Sequence, residues 1–517
     1  MLRSGPVRFS VVALALSCAS QLAFAQAPPP AAPPAPGEAV PPPPSDVAAP
    51  PPPVVEVPPP PPPAPLPAEP PHPVSAPTTL TPLAPKEQPP VAAPVTTKYI
   101  GATIYGFVEA DGIWDSTQSF NDLAGNGPVQ RQGSFGAEHG RTTFSARNSR
   151  FGVKVRGPEN DVVKTSAIFE CDFLGNQPQS TPLPGGSPAV SEGSFITSPT
   201  FRMRHYALKI ETPYVDVLAG QYWQLFGWQS MFHPNTVQMQ GVPGQIYSRS
   251  PQFRLSHAFK TDDVTVEIAL AASRPPQRDA QLPDGQAGIR FALNNYKALH
   301  TAGATGTALD GLSLGLSTVG RKFVMPNFVA APTSTVNING YGYSADLLLP
   351  VIPATNLKDG NALTITASYV YGQAIADLYT GLNGGANFPA LAMGTYPQDV
   401  DNGLVAYTPD GVLHAIRWTS YIVGAQYYLP GNQLWITGNF SHMHSSDIQN
   451  LVYNNAMGAP ANNNKLFNTS YWADGLLFYQ FNPAVRFGAE YAYTWQKYLD
   501  GVKGTNSRIQ FSAFYVF

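Results

Sequence analysis

Apolar and polar residues alternate strictly over the last ten positions of the chain. Ile509, Phe511, Ala513, Tyr515 and Phe517 share one face of an extended strand, and Arg508, Gln510 and Ser512 share the other. The same period of two recurs from residue 103 to 115, where Ile104, Val108, Ala110 and Trp114 oppose Tyr105, Phe107, Glu109 and Asp111. Between 144 and 156, Ser149, Phe151, Val153 and Val155 are expected on the apolar face, with Asn148, Arg150, Gly152, Lys154 and Arg156 opposite. From 163 to 173 the outward set is Val163, Thr165, Ala167, Phe169, Cys171 and Phe173, against Lys164, Ser166, Glu170 and Asp172. Strands follow at 201–211, 215–224, 250–260, 263–273, 286–294, 311–321, 337–349, 361–373, 412–429, 433–445, 468–481, 484–498 and 505–517, about 16 in all.

The connections alternate as regularly as the side chains. Long loops near 116–140, 174–199, 225–249, 322–336, 374–411 and 446–467 are interleaved with turns at 157–161, 212–213, 261–263, 430–432 and 482–483. Short turns on one side, long loops on the other and an even strand count describe an all-β, transmembrane antiparallel β-barrel, both of whose ends lie on the same side. Two connections fit poorly: 295–310 is too long for a turn and 500–504 is short for an outer loop. A barrel of about 16 strands is wide enough to leave an aqueous channel. Its closing strand, 508–517, must pair with the strand near 103, because an open edge in lipid leaves backbone groups unpaired. Tyr515 and Phe517 on that strand form an expected assembly signal for the barrel-assembly machinery, with Phe517 also a membrane-rim anchor.

Composition supports this reading. Only 12% of residues are charged and 11% are aromatic, and no stretch carries the roughly 20 apolar residues of a membrane helix. Residues 1–25 read as a secretory signal: Arg3 and Arg8 precede an apolar core, and Ala23-Phe24-Ala25 forms a cleavage site. Residues 26–97 form a Pro-rich segment, with 31 of the 56 prolines between 27 and 94, and are expected to be disordered or polyproline II in the periplasm. Residues 98–517 form the barrel. Cys18 leaves with the signal, so Cys171 has no partner for an internal disulfide and reads as a small apolar filler.

Several stretches together carry a more specific likeness. Ser149-Arg150-Phe151-Gly152-Val153-Lys154, Gly220-Gln221-Tyr222-Trp223-Gln224-Leu225-Phe226, the run from Gly244 to Arg254 and Leu282-Pro283-Asp284 occur in an order that resembles the DcaP-like outer-membrane porins. The resemblance covers roughly residues 99–517 and is densest between 141 and 291. It implies a trimeric, 16-stranded porin of the Gram-negative outer membrane that takes up small acids such as dicarboxylates. The family often carries a coiled-coil-prone segment ahead of its barrel. A polyproline-like stretch stands there instead, which leaves trimerisation to the barrel walls.

Candidate chemistry gathers in the first half of the barrel. The loop near 226–247, rich in glycine and in apolar residues such as Trp228, Met231 and Phe232, is expected to fold into the lumen. Facing it, Arg150, Lys154, Lys164, Arg202, Arg204, Lys209, Arg249, Arg254 and Arg290 form a candidate basic arc that selects anions, with Glu109, Asp111, Glu170, Asp172 and Glu267 opposed across the pore. Arg202 and Arg204 alternate in phase with Leu208 and Ile210, so a lumenal placement needs a bulge or a position above the membrane. The expected function is passive diffusion of small hydrophilic solutes with a bias toward anions, through a homotrimer surrounded by outer-membrane lipids. A structural tether that joins the envelope to the cell wall through the Pro-rich segment is the alternative. No catalytic residue, cofactor or metal site is expected: His442 and His444 read as solvated rim residues, and no phosphate loop or continuous basic surface suggests nucleotide or nucleic-acid binding.

Overall fold

The computed structural model describes residues 95–97 and 100–517, apart from 126, 158–159, 161, 176–195, 239–240, 278–279, 380–381, 383–402, 409 and 449–465. The expected signal sequence and all of the Pro-rich segment except Val95–Thr97 lie outside the described residues. A short strand, β1 (Val95–Thr97), folds back on the start of the first stave, β2 (Ile100–Asp115). The second stave is interrupted and runs as β3 (Arg141–Ser145) and β4 (Arg150–Arg156), both paired with β2. Then come β5 (Lys164–Asp172), β6 (Arg202–Glu211), β7 (Asp216–Trp223), β8 (Arg249–Lys260) and β9 (Val264–Ser273). The longest neighbours are β10 (Asp284–Ala302) and β11 (Gly306–Pro326), followed by β12 (Thr335–Ile352) and β13 (Ala362–Gln373). β14 (Val405–Tyr407) and β15 (Leu413–Ala415) pair only with each other in the next loop. β16 (Arg417–Tyr428), β17 (Leu434–His444), β18 (Phe467–Gln480), β19 (Val485–Tyr498) and β20 (Lys503–Val516) complete a closed antiparallel barrel of 16 staves.

Closure runs from Phe107 opposite Val516 to Asp115 opposite Arg508. The Phe517 carbonyl accepts from the Gly106 N–H at 2.9 Å and its own N–H donates back at 3.0 Å, so the seam is paired to the last residue. Gly106 is needed there because a Cβ would sit 2.2 Å from the Arg150 carbonyl oxygen on the adjoining stave. Gly106→Ala is therefore expected to destabilise the barrel by roughly 1–3 kcal/mol, the usual cost of overpacking. Heat-modified gel mobility checks this: the variant should unfold at lower temperature than the parent, and an unchanged transition would show that the seam tolerates the methyl.

The period-two pattern sorts the wall into two faces. Ile104, Phe253, Leu270, Leu316, Ile436 and Phe511 are exposed on the outside, a belt that suits hydrocarbon rather than water. Glu109, Ser317, Asp346, Thr364, Gln426 and Glu490 are buried on the inside. The two largest buried apolar clusters among the described residues lie within the barrel. One joins Phe226, Ile246, Phe323, Trp418 and Tyr407 at the long-loop end; the other joins Val237, Leu299, Tyr428, Trp435 and Phe478 near the short-turn end.

Two expectations about the strands change. The stretch 144–156 is not one alternating strand: Ala146 to Ser149 leave the ladder, and the phase slips, so that Phe144 and Phe151 both face outward. Ser149 is consequently buried rather than outward, and its hydroxyl accepts from the Glu109 N–H at 2.9 Å. The poorly fitting connection 295–310 is not a turn but a hairpin extension. A bulge between Leu293 and Lys297 breaks the alternation at Asn294 and Asn295, after which β10 and β11 stay paired to Ala302 opposite Gly306.

Candidate lumenal site

The loop between β7 and β8 crosses the interior. It leaves β7 in a tight turn at Phe226–Trp228, where Gly227 takes a left-handed φ of 77°. The Phe226 N–H donates to Gln286 Oε1 (2.9 Å), the Gly227 N–H to Ser317 Oγ (2.8 Å) and the Trp228 indole to the Leu316 carbonyl (3.0 Å), which seats the turn on β10 and β11. Further along, the side-chain oxygen of Asn235 accepts from the Trp435 indole at 3.0 Å and from Thr437 Oγ1 at 2.6 Å. The N–H groups of Val237 and Gln238 donate to Glu490 at 2.5 and 3.2 Å. The Gly244 carbonyl accepts from Ser420 Oγ at 2.9 Å. These anchors lie on β16, β17 and β19, on the other side of the barrel from the loop's origin.

The hairpin at 298–308 meets this loop from the short-turn end. Ala298, Leu299, Thr301 and Ala304 are fully buried, and Thr364 Oγ1 donates to the Leu299 carbonyl (2.7 Å) while the Thr301 N–H donates to Gln426 Oε1 (2.8 Å). Asn235 Nδ2 donates to the Gly303 carbonyl at 2.7 Å, and the Gly303 N–H donates to the Pro234 carbonyl at 3.0 Å. Loop and hairpin thus clasp each other inside the barrel. The space left beside the clasp is a cavity of about 410 Å³ bounded by Tyr105, Arg150, Lys154, Arg204, His233 and Tyr247, with His300 to Asp310 opposite. A second, of about 580 Å³, lies along the same wall and is lined by Lys154, Lys164, Lys209, Tyr222, Arg254 and Glu267.

The nine candidate cations fall into two sets. Arg204 is buried and donates through Nε to Glu170 at 2.7 Å and through Nη1 to Asp172 at 3.1 Å. Arg202 grips Asp172 at 2.6 Å, Lys209 sits 2.7 Å from Glu211 and 3.3 Å from Asp216, and Arg290 lies 2.7 Å from Glu267. Of the two ways to place Arg202 and Arg204 in the lumen, the bulge is the one present: His205 pairs with Glu170 and Met203 with Cys171, leaving Arg204 as the extra, inward residue. Lys154, Lys164, Arg249 and Arg254 form no ion pair with a described residue, and Arg150 approaches Glu170 only to 3.7 Å. Arg249 packs over the rings of Trp223 (4.9 Å) and Tyr247 (5.6 Å), Arg150 over Phe107 (5.1 Å) and Lys154 over Tyr105 (4.8 Å). Burial opposes ionisation of Tyr247, yet the guanidiniums of Arg204, Arg249 and Arg150 outweigh it and draw the phenol down to about 8.

The carboxylates do not oppose the basic arc across the pore. Glu170, Asp172 and Glu267 are paired with their own neighbours on the same wall, since strict alternation puts inward residues of adjacent staves within reach of one another. Glu109 and Asp111 point inward but are covered; Asp111 accepts from Gln510 and Ser512, and Asn148 donates to Glu109 at 3.5 Å. Cys171 is a half-buried free thiol. Tyr515 and Phe517 are exposed on the outer face. His442 and His444 are also on that face, with rings 6.3 Å apart.

Among solved structures, the chain is similar to the outer membrane channel DcaP of Acinetobacter baumannii, with 17% identity and a TM-score of 0.56 over 81% of this chain and 97% of that one. The fold is that of an outer-membrane channel. Outer-membrane expressed OmpT of Vibrio cholerae matches with 12% identity and a TM-score of 0.44, over 82% of this chain and 100% of that one. Pseudomonas putida OprB matches with 11% identity and a TM-score of 0.40, over 81% of this chain and 94% of that one. No family model and no curated protein matches the sequence.

Asn235, Glu490 and the 298–308 hairpin escaped the reading of the sequence. Glu490 had a signal, an acidic residue at an inward position of an alternating strand. Asn235 had none, because its partners lie some 200 residues away, at Trp435 and Thr437.

Proposed function

We propose that the chain forms a water-filled channel in the outer membrane of a Gram-negative bacterium and passes small hydrophilic solutes passively, favouring anions such as dicarboxylates. The observation that carries this reading is the basic lining of the two cavities beside the clasp: Arg150, Lys154 and Arg204 on one, and Lys154, Lys164 and Arg254 on the other. A solute in these cavities meets Lys154, Lys164 and Arg254, which form no ion pair with a described residue, and Arg150, whose contact with Glu170 is only 3.7 Å. Guanidiniums and ammoniums that no close carboxylate neutralises, in a narrow, partly dry passage, attract anions and repel cations. Likeness to the DcaP-like porins, in motifs and in fold, supports the same class of solute and a homotrimer whose contacts come from the barrel walls. The Pro-rich segment belongs, on this reading, to the periplasmic side.

Swelling of proteoliposomes tests it. Vesicles carrying the protein are expected to admit succinate faster than an uncharged sugar of similar size, and replacing Arg150 and Lys154 together with glutamine should narrow that gap. Equal rates for acid and sugar would contradict the anion preference while leaving the channel itself intact.

A further inference from the structure

The outward face near the long-loop end carries a feature that solute passage does not use. Tyr421, His442, Tyr471 and Trp495 form an unbroken row of outward rings across β16 to β19, with centroids 5.3, 4.5 and 5.2 Å apart. Aromatic rows on the outside of a barrel mark the level where hydrocarbon gives way to headgroups. The next outward row, one step nearer the long loops, runs Thr419, His444, Thr469, Lys497 and Lys503, each opposite the next in register. Lys497 and Lys503 therefore face each other directly, both exposed, and neither forms an ion pair with a described residue. Asp500, the nearest acid in sequence, is taken by Arg131. Like charges directly opposite on adjacent strands destabilise a sheet unless something neutralises them.

We propose that Lys497 and Lys503, with His444 in the same row, hold the phosphate of an anionic, phosphorylated lipid of the outer leaflet. The proposal rests on the outer-membrane reading given above, which sets the long-loop end outside. The chemistry fits: two ammonium groups at headgroup depth supply the positive charge, and the ring row beneath packs against the acyl chains. Lys503 lies 6.0 Å over the Trp495 ring, which orients its chain along the wall.

Native mass spectrometry of the full-length protein, titrated with diphosphoryl lipid A, monophosphoryl lipid A or phosphatidylcholine, tests this. The protein is expected to retain diphosphoryl lipid A most tightly, with affinity falling as salt rises. K497Q/K503Q should weaken retention by about thirtyfold, the factor that corresponds to about 1 kcal/mol for each lysine near an anionic surface. K497R/K503R should retain the lipid, which shows that charge rather than mere folding is being read. Planar-bilayer conductance is expected to be the same in parent and K497Q/K503Q, because both side chains face away from the lumen. Equal lipid retention by parent and K497Q/K503Q overturns the proposal. So does a shift in oligomeric state with lipid retention unchanged, because a second copy of the chain would then occupy the face. Lipid retention by a protein that does not conduct would instead sink the channel reading and leave the lipid site standing.

Discussion

Asn235→Ala is expected to raise single-channel conductance and to make the open current noisier. Asn235 is fully buried and joins three parts of the interior: the indole of Trp435, the hydroxyl of Thr437 and the Gly303 carbonyl at the hairpin tip. Truncation leaves these groups without their partner in a dry setting. At about 1–3 kcal/mol for each buried polar group left unsatisfied, the clasp loses several kcal/mol. The β-ladder is untouched, so the barrel should still fold. Glu490→Ala acts on the same loop through Val237 and Gln238 and should reproduce the effect more weakly, because only two backbone donors are released. Unchanged conductance in both variants would show that the loop is held by its seat on β10 and β11 alone.

Arg204→Ala should act on charge and stability together. Arg204 is 2% exposed and bridges Glu170 and Asp172, so its loss leaves two carboxylates under-neutralised beside the 410 Å³ cavity. Breaking a buried pair by removing one partner costs about 3–5 kcal/mol. Here the cost should fall at the low end, because Tyr105 still donates to Glu170 at 2.9 Å and Arg202 still holds Asp172. The lumenal wall loses one positive charge, so anion preference should fall, as read by the reversal potential. Arg204→Lys should restore the charge but not the two-carboxylate grip, because an ammonium is a point donor. A variant that keeps both its thermal stability and its reversal potential would contradict the role given to Arg204.

The wall was legible in the sequence and the interior largely was not. Period-two alternation and the long-short rhythm of connections depend on neighbours a few residues apart, so they survive in a single chain read alone. They identified the stave 508–517 and its pairing with β2, which the seam from Phe107–Val516 to Asp115–Arg508 realises. Reading failed where a bulge shifts the phase. Strict alternation puts Ser149 outside, but residues 146–149 leave the ladder and turn it inward, and the bulge at Asn294 and Asn295 gives the hairpin the pattern of a loop. Arg204 is the instructive intermediate: its awkward phase leaves a bulge or a position above the membrane open, and a register shift beside Glu170 supplies the bulge. The pairing of acids with bases along one wall, rather than across the pore, depends on stave order around the barrel. So does the clasp, whose anchors come from β10, β11, β16, β17 and β19.

Single-channel recording in a planar bilayer under a KCl gradient tests the central claim most directly. The protein is expected to conduct, with a reversal potential of the sign set by chloride, and that potential should move toward zero when Arg150, Lys154, Arg249 and Arg254 are replaced by glutamine. A barrel that does not conduct, or a reversal potential of the sign set by potassium, would contradict the account.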